Sequence, residues 1–172
     1  MKAKSPQQKN IVVSVVMGSD SDFPIMTETT KILEEFGIPY ELFLTSAHRT
    51  PERTTKFARD AAKRGVKIII VGAGAAAHLA GVIASQTQLP VIGVPIDATA
   101  VHGLDALLST VQMPGGIPVA TMAIGKAGAK NAALYAARIL ALTDSKIAAQ
   151  LTTYIKKMAK DVEKKQDKLT TL

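Results

Sequence analysis

The sequence predicts an α/β protein in which a five-stranded parallel sheet lies between two layers of helices. Short apolar segments, several of them β-branched almost throughout, alternate with longer segments that have helical periodicity. Alternation of this kind favours parallel strands joined by helical crossovers. The chain has 172 residues, 47% of them hydrophobic, which suits one domain with a substantial core.

Five strands and five helices follow one another in the predicted order. Pro24 and Pro51 are suited to the first turns of helices, and Gly37 and Gly65 are suited to helix ends. The elements are strand 11–17, helix 23–36, strand 40–44, helix 51–64, strand 67–71, helix 76–86, strand 91–95, helix 104–111, strand 119–124 and helix 127–142. Right-handed crossovers make a flavodoxin-like strand order, with three α/β/α layers, the simplest arrangement.

This α/β domain is predicted to span residues 11–143, with one further segment at each end. Residues 1–10 are polar and predict a flexible tail. Residues 144–172 predict an extra C-terminal amphipathic helix, because apolar side chains recur every three or four positions opposite a lysine-rich face. We expect that helix to pack on its own domain or on a neighbouring subunit. Helix 127–142 is rich in alanine on almost every side, and the two helices together predict an oligomer.

Composition excludes several kinds of chemistry. The chain has no cysteine, which excludes disulfides, thiolate nucleophiles and cysteine-bound metals, and a cytoplasmic location is expected. Residues 1–10 lack the apolar core of a signal peptide, and no apolar run approaches the ~20 residues that span a bilayer. We therefore expect neither export nor a membrane anchor.

The net charge of +7 does not predict nucleic-acid binding. The excess positive charge lies in residues 1–10 and after residue 145, whereas residues 11–145 carry eleven basic and eleven acidic side chains. Aromatic residues make up 4% of the chain. A nucleic-acid groove needs basic and aromatic side chains on the folded body, and this sequence lacks that pattern.

The segment 45–51, Thr-Ser-Ala-His-Arg-Thr-Pro, is the strongest candidate for a functional loop. It follows a predicted strand and precedes a helix, and such loops line the ligand crevice of open α/β sheets. Ser46, His48 and Arg49 place a hydroxyl, an imidazole and a guanidinium within four residues. Proton transfer and phosphate binding can share such a loop, although a simple Thr/Ser helix cap also accounts for these residues when the loop is taken alone.

Two glycine-containing loops follow other strands. Residues 18–22, Gly-Ser-Asp-Ser-Asp, offer hydroxyls and helix-start amides for a phosphate, and carboxylates for sugar hydroxyls. Residues 72–77, Gly-Ala-Gly-Ala-Ala-Ala, resemble a dinucleotide fingerprint, but they follow the third strand and lack the expected acid. The pair Gly125-Lys126 lacks the upstream glycine and the following hydroxyl of a P-loop.

The remaining candidates are one loop and two histidines. Residues 112–118 are rich in glycine and proline, and Met113 and Ile117 give this loop an apolar edge suited to covering a pocket. His78 follows the glycine-alanine loop, and His102 lies in an irregular link. No two histidines have the helical spacing of a zinc site, so we expect no metal.

Six motifs, in this order, closely resemble the 5-(carboxyamino)imidazole ribonucleotide mutase family of de novo purine biosynthesis. They are Gly-Ser-Asp-Ser-Asp at 18–22, Ser-Ala-His-Arg-Thr-Pro at 46–51, Gly-Ala-Gly at 72–74 with Ala-His-Leu at 77–79, Gly-Val-Pro at 93–95, Gln-Met-Pro-Gly-Gly-Ile-Pro at 112–118 and Ala-Ile-Gly-Lys-Ala-Gly at 123–128. Arg49 and the loop before His78 resemble the bacterial mutase class more than the animal-type carboxylase. Ala75, Ala80 and Ala106 depart from the family, where glycine, proline and serine are more usual.

The resemblance implies a flavodoxin-like subunit in an octamer that uses neither a metal nor an organic cofactor. It implies a small ribonucleotide substrate and His48 as the catalytic acid/base. The implied substrate contacts are Ser19, Asp22, Ser46, Arg49, Gly72, Ala73, Gly74, His78 and Leu79. If the residues are considered without the family resemblance, two alternative functions remain. One is a nicotinamide-dependent oxidoreductase that uses the Gly72 loop, and the other is a non-catalytic module that binds a phosphosugar.

Overall fold

The computed structural model describes residues 11–169, apart from the side chain of residue 168. The predicted tail 1–10 lies outside the described residues. The strands are β1 Val13–Met17, β2 Tyr40–Leu44, β3 Ile68–Gly74, β4 Val91–Ile96 and β5 Ala120–Thr121. The helices are α1 Phe23–Glu35, α2 Pro51–Ala61, α3 Leu79–Ala84, α4 Leu104–Val111, α5 Gly125–Ala141 and α6 Ser145–Leu169.

The five strands form one parallel sheet in the order β2-β1-β3-β4-β5. This is the flavodoxin-like order, so the predicted fold class is confirmed. Every residue of β1 and β4 is buried, as is every residue of β3 up to Ala73. Continuous burial arises because helices cover both faces, and it accounts for the unbroken apolar runs in the sequence.

Helices pack on the two faces of the sheet through different sets of side chains. On one face Phe57 of α2 and Ile83 of α3 belong to a buried cluster that includes Val71 of β3. On the other face Met26 of α1 lies over Gly72, where a larger residue would collide with the methionine sulfur. The glycine therefore lets α1 approach the centre of the sheet closely.

The edge strand β2 is held to β1 by a partly buried polar bridge. Ser14, paired with Glu41 in the sheet register, donates its hydroxyl to one carboxylate oxygen at 2.6 Å. Arg64 donates to the other oxygen at 2.7 Å. Burial alone would raise the pKa of Glu41, but the hydrogen bonds from Arg64 and Ser14 outweigh it and leave the pKa below its ordinary value. The bridge ties β2, which leads into loop 45–51, to β1 and to the turn that follows α2.

Two predicted elements differ from the observed ones. Helix α3 covers Leu79–Ala84 instead of 76–86, because Ala75 has a positive φ of 54° and residues 75–78 form tight turns. Strand β5 has two residues instead of the predicted 119–124, because its paired register with β4 covers only Ala120 and Thr121. The other elements begin and end within about three residues of their predicted limits.

The described chain divides into two compact units. The first, up to Leu134, holds the sheet, α1 to α4 and the first part of α5; the second, from Tyr135, holds the rest of α5 and α6. The predicted C-terminal helix is present as α6, with Ile147 and Leu151 buried and Ile155 and Val162 exposed by 47% and 67%. Over residues 11–169, none of the helices combines the length and apolar character that crossing a bilayer requires.

Candidate active site

The loops that follow β1 to β4 enclose a cleft of about 350 Å³ in the first unit. The cleft lies where the strand order reverses between β1 and β3, which is the usual ligand position in an open α/β sheet. Its lining residues are Gly18, Ser19, Ser21, Asp22, Ser46, Ala47, His48, Arg49, residues 73–79 and Ala98. Polar side chains therefore enter from the first three loops, and small apolar residues complete the wall.

The loop after β1 is a tight turn stabilised by reciprocal capping bonds. The Ser21 amide donates to the Ser19 hydroxyl at 3.3 Å, and the Ser19 amide donates to the Asp22 carboxylate at 3.0 Å. Burial raises the pKa of Asp22, amide hydrogen bonds from Ser19 and Gly18 partly offset that rise, and the nearby Asp20 charge adds to it. Asp22 is 4% exposed, so its carboxylate occupies a fixed position in the cleft.

The loop after β2 is the predicted segment 45–51, and Pro51 begins α2 as expected. The Thr50 amide donates to the Ser46 carbonyl at 2.9 Å, which closes a turn around His48 and Arg49. The Arg49 guanidinium donates to the Gly18 carbonyl at 3.2 Å and lies 3.5 Å from the Ser46 hydroxyl. Arg49 thus joins the first and second loops and places a positive charge at the cleft.

The loop after β3 places the imidazole of His78 against that of His48. Nε2 of His48 lies 2.8 Å from Nδ1 of His78, and the two rings meet edge to face. A hydrogen bond of this kind requires one nitrogen to carry a proton and the other to accept it. The Ala77 amide donates to the Ser109 hydroxyl of α4 at 3.1 Å, which fixes the loop just before His78.

Most of the predicted site residues meet in this cleft. Ser19, Asp22, Ser46, His48, Arg49, Ala73, Gly74, His78 and Leu79 all line it. Gly72 does not, because it is paired with Met17 and Val94 inside the sheet. Segment 72–74 belongs to β3 and forms no turn before a helix, so the interpretation of residues 72–77 as a dinucleotide fingerprint is wrong.

One residue of the cleft, Ala98, lies outside the loops that the sequence analysis named, and two of its other candidates lie elsewhere. Ala98 lines the cleft against Gly74, and an alanine in an irregular link carries no sequence signal. Loop 112–118 does not line the cleft of this chain, since Met113 packs against Gly81 of α3. His102 is 88% exposed and lies 3.8 Å from Asp97, outside the cleft.

Metal-binding side chains do not cluster in the described part of the chain. Within residues 11–169, no group of three histidine, aspartate or glutamate side chains has the arrangement of a metal site. The chemistry of the cleft is instead set by two imidazoles, one guanidinium, the Asp22 carboxylate and serine hydroxyls. These groups can transfer protons and bind a phosphorylated sugar.

Comparison with known proteins gives consistent matches. The family model described as AIR carboxylase matches residues 12–161. N5-carboxyaminoimidazole ribonucleotide mutase of Pyrococcus horikoshii is 56% identical, over 98% of this chain and 92% of that protein. The protein of the same name from Thermotoga maritima is 52% identical, over 91% of each chain.

A longer relative and a solved structure agree with these matches. Phosphoribosylaminoimidazole carboxylase of Candida albicans is 48% identical over 98% of this chain, but the match covers 29% of that protein. The crystal structure of Treponema denticola PurE superposes with a TM-score of 0.82 at 31% identity, over 92% of this chain and 98% of that one. The family match spans nearly all the described residues, and the sequence relatives cover almost the whole chain. This chain therefore belongs to the AIR carboxylase family, together with the proteins named N5-carboxyaminoimidazole ribonucleotide mutase.

Proposed function

We propose that this chain is a mutase of purine biosynthesis that converts 5-(carboxyamino)imidazole ribonucleotide to 4-carboxy-5-aminoimidazole ribonucleotide. The mutases of Pyrococcus horikoshii and Thermotoga maritima match over 92% and 91% of their own length, whereas the carboxylase of Candida albicans matches over 29%. The observation within the site that carries the proposal is the His48 imidazole, which lines the same cleft as Arg49 and Asp22.

The reaction needs one proton to be given and one to be taken. Breaking the bond between the exocyclic nitrogen and the carboxylate releases carbon dioxide, and the nitrogen takes up a proton. The ring carbon C4 then attacks the retained carbon dioxide and loses its own proton. One imidazole can donate the first proton and accept the second, so we assign His48 as the acid/base. The net change is an isomerisation with no proton gained or lost.

His78 is suited to hold the ring of His48 in place during this exchange. Their 2.8 Å contact joins Nε2 of His48 to Nδ1 of His78, so one of these two nitrogens donates to the other and the tautomers of the two rings are coupled. His78 therefore belongs to the substrate site as a neighbour of the acid/base.

The remaining groups divide between the phosphate, the ribose and the carbon dioxide. Arg49, Ser46 and Ser19 offer a guanidinium and two hydroxyls, which suit a phosphate. The Asp22 carboxylate suits ribose hydroxyls. The small residues Ala73 and Gly74 line the same cleft as the two histidines, and we assign this part of the wall to carbon dioxide; Ala98 already fills the position of a side chain at Gly74.

His48→Asn tests the acid/base assignment. Asparagine keeps a similar size but cannot accept and return a proton, so kcat is expected to fall about 10²- to 10⁴-fold while substrate still binds. The measurement is kcat by product absorbance, with ribonucleotide binding by calorimetry. His102→Asn is the matched control, because His102 is exposed and lies outside the cleft. Near-normal turnover of His48→Asn would contradict the assignment and make His78 the next residue to test.

Asp22→Asn tests the balance between binding and stability in the first loop. A raised pKa means that ionised Asp22 lowers the free energy of unfolding. This cost is absent below the unfolded pKa of ~3.9, grows as the pH rises from there to the folded pKa, and is complete above it. Asp22→Asn is therefore expected to unfold at a higher temperature than the parent at pH 7, with the difference vanishing below about pH 4. Its KM should rise, because a carboxylate facing the ribose is lost. A lower unfolding temperature than the parent at pH 7 would show that the ionised carboxylate is stabilising.

We also propose that the chain works as an oligomer, with the octamer as the expected form, in the cytoplasm where a phosphorylated ribonucleotide is retained. The exposed apolar residues of α6, Ile155, Met158 and Val162, support the oligomer because they require a covering surface. Sedimentation at micromolar concentration is expected to show a species larger than a dimer. A stable and active monomer would contradict this proposal.

A further inference from the structure

We propose that Thr54 is a positioning residue for the acid/base, acting through a buried hydroxyl chain with Thr45 and Thr50; this inference rests on the proposed function of His48. Thr54 lies on α2, is 0% exposed and does not line the cleft. Its hydroxyl oxygen lies 2.9 Å from that of Thr45, which in turn lies 3.1 Å from that of Thr50. The three hydroxyl groups thus connect the interior of the domain to the turn that carries His48.

The chain of hydroxyls ends on the backbone of that turn. The Thr50 hydroxyl accepts a hydrogen bond from the Ser46 amide at 3.0 Å and donates to the Ser46 carbonyl at 3.1 Å. His48 therefore lies inside a loop whose first and last residues are joined by one side chain. We name the hydroxyl groups of Thr45, Thr50 and Thr54 the threonine latch.

The protons in the threonine latch show why Thr54 matters to its outer end. The Thr50 hydroxyl donates to the Ser46 carbonyl, so Thr45 is the donor to Thr50 and Thr54 is the donor to Thr45. These three bonds use all three hydroxyl protons of the latch, and the Thr50 carbonyl, 3.1 Å from the Thr54 hydroxyl oxygen, receives none of them. Removing the innermost hydroxyl leaves Thr45, which is 3% exposed, with Thr50 as its remaining partner in the latch.

A helix cap does not account for these contacts. Thr50 precedes α2, yet its side chain makes no capping bond to the helix amides and points back to Ser46 instead. A buried hydroxyl such as that of Thr54 loses free energy unless it is hydrogen-bonded, and its own helix carbonyl would suffice for that purpose. The bond to Thr45 is therefore not needed to satisfy Thr54, and its consequence is to fix the loop of His48 and Arg49.

The test compares three variants by steady-state kinetics at a temperature where each is fully folded. Thr54→Val removes the hydroxyl and keeps the branched shape, and kcat is expected to fall about 10- to 100-fold because misplaced catalytic groups cost rates of this order. Thr54→Ser keeps the hydroxyl and should restore kcat to within about twofold of the parent. Thr30→Val is the matched control, since Thr30 is also a buried helical threonine, 6% exposed, with its hydroxyl bonded to the Thr27 carbonyl.

Hydrogen exchange of residues 46–50, followed by mass spectrometry, reports on the latch without any assay of activity. Thr54→Val should exchange faster in this segment than the parent, and Thr54→Ser and Thr30→Val should not. If Thr54→Val does not fold, Thr50→Val supplies the same two measurements, because Thr50 is exposed and its hydroxyl is the outer end of the latch.

Each outcome decides the proposal. A reduced kcat together with faster exchange, both restored by serine, supports it. Parent-like kcat in Thr54→Val, with only a lower unfolding temperature, overturns it and leaves Thr54 a structural residue. Failure of the proposed function is distinguishable, because the parent would then show no mutase activity while the exchange rates still report whether the latch holds the loop.

Discussion

The register of the three strands β2, β1 and β3 is the constraint on which the cleft depends. Met17, the last residue of β1, is paired with Leu44 on one side and Gly72 on the other, so β1 and β2 end at the same level. The Thr45 amide donates to the Met17 carbonyl at 3.0 Å, and the Gly18 amide donates to the Gly72 carbonyl. Loops that are about 30 residues apart in sequence are thereby brought within hydrogen-bond distance. A shift of register would separate them.

The cleft combines groups whose requirements conflict. Asp22 is buried, and its hydrogen-bond partners are uncharged backbone amides. Burial raises its pKa, so ionising Asp22 at neutral pH lowers the free energy of unfolding relative to its uncharged form. Arg49 uses its guanidinium to join two loops, yet the proposed function requires the same group for phosphate. These conflicts are typical of sites that are arranged for a ligand rather than for stability. By contrast, the Ser14, Glu41 and Arg64 bridge satisfies its charges and serves the scaffold.

The sequence predicted the fold class and the candidate loops from local patterns, the strand order from the right-handed crossover rule, and most individual residues of the cleft from the family resemblance. Buried β-branched runs mark the strands, and polar residues directly after a strand mark the loops. What it did not predict depends on tertiary contacts. The left-handed Ala75 shortens α3, and Gly72 lies in the sheet because it pairs with Met17 and Val94. The contact between His48 and His78 joins residues 30 positions apart, and no periodicity in the chain indicates it.

In the proposed reaction one cleft moves a carboxylate within a single ribonucleotide. A labelling experiment supplies 5-(carboxyamino)imidazole ribonucleotide carrying ¹³C in its carboxylate, with unlabelled bicarbonate in the medium and without ATP, metal or nicotinamide. We expect 4-carboxy-5-aminoimidazole ribonucleotide to form and to retain most of the label, because the proposed reaction keeps carbon dioxide in the cleft between its two steps. Formation of that product only from 5-aminoimidazole ribonucleotide and medium carbon dioxide, with none from the labelled substrate, would contradict it.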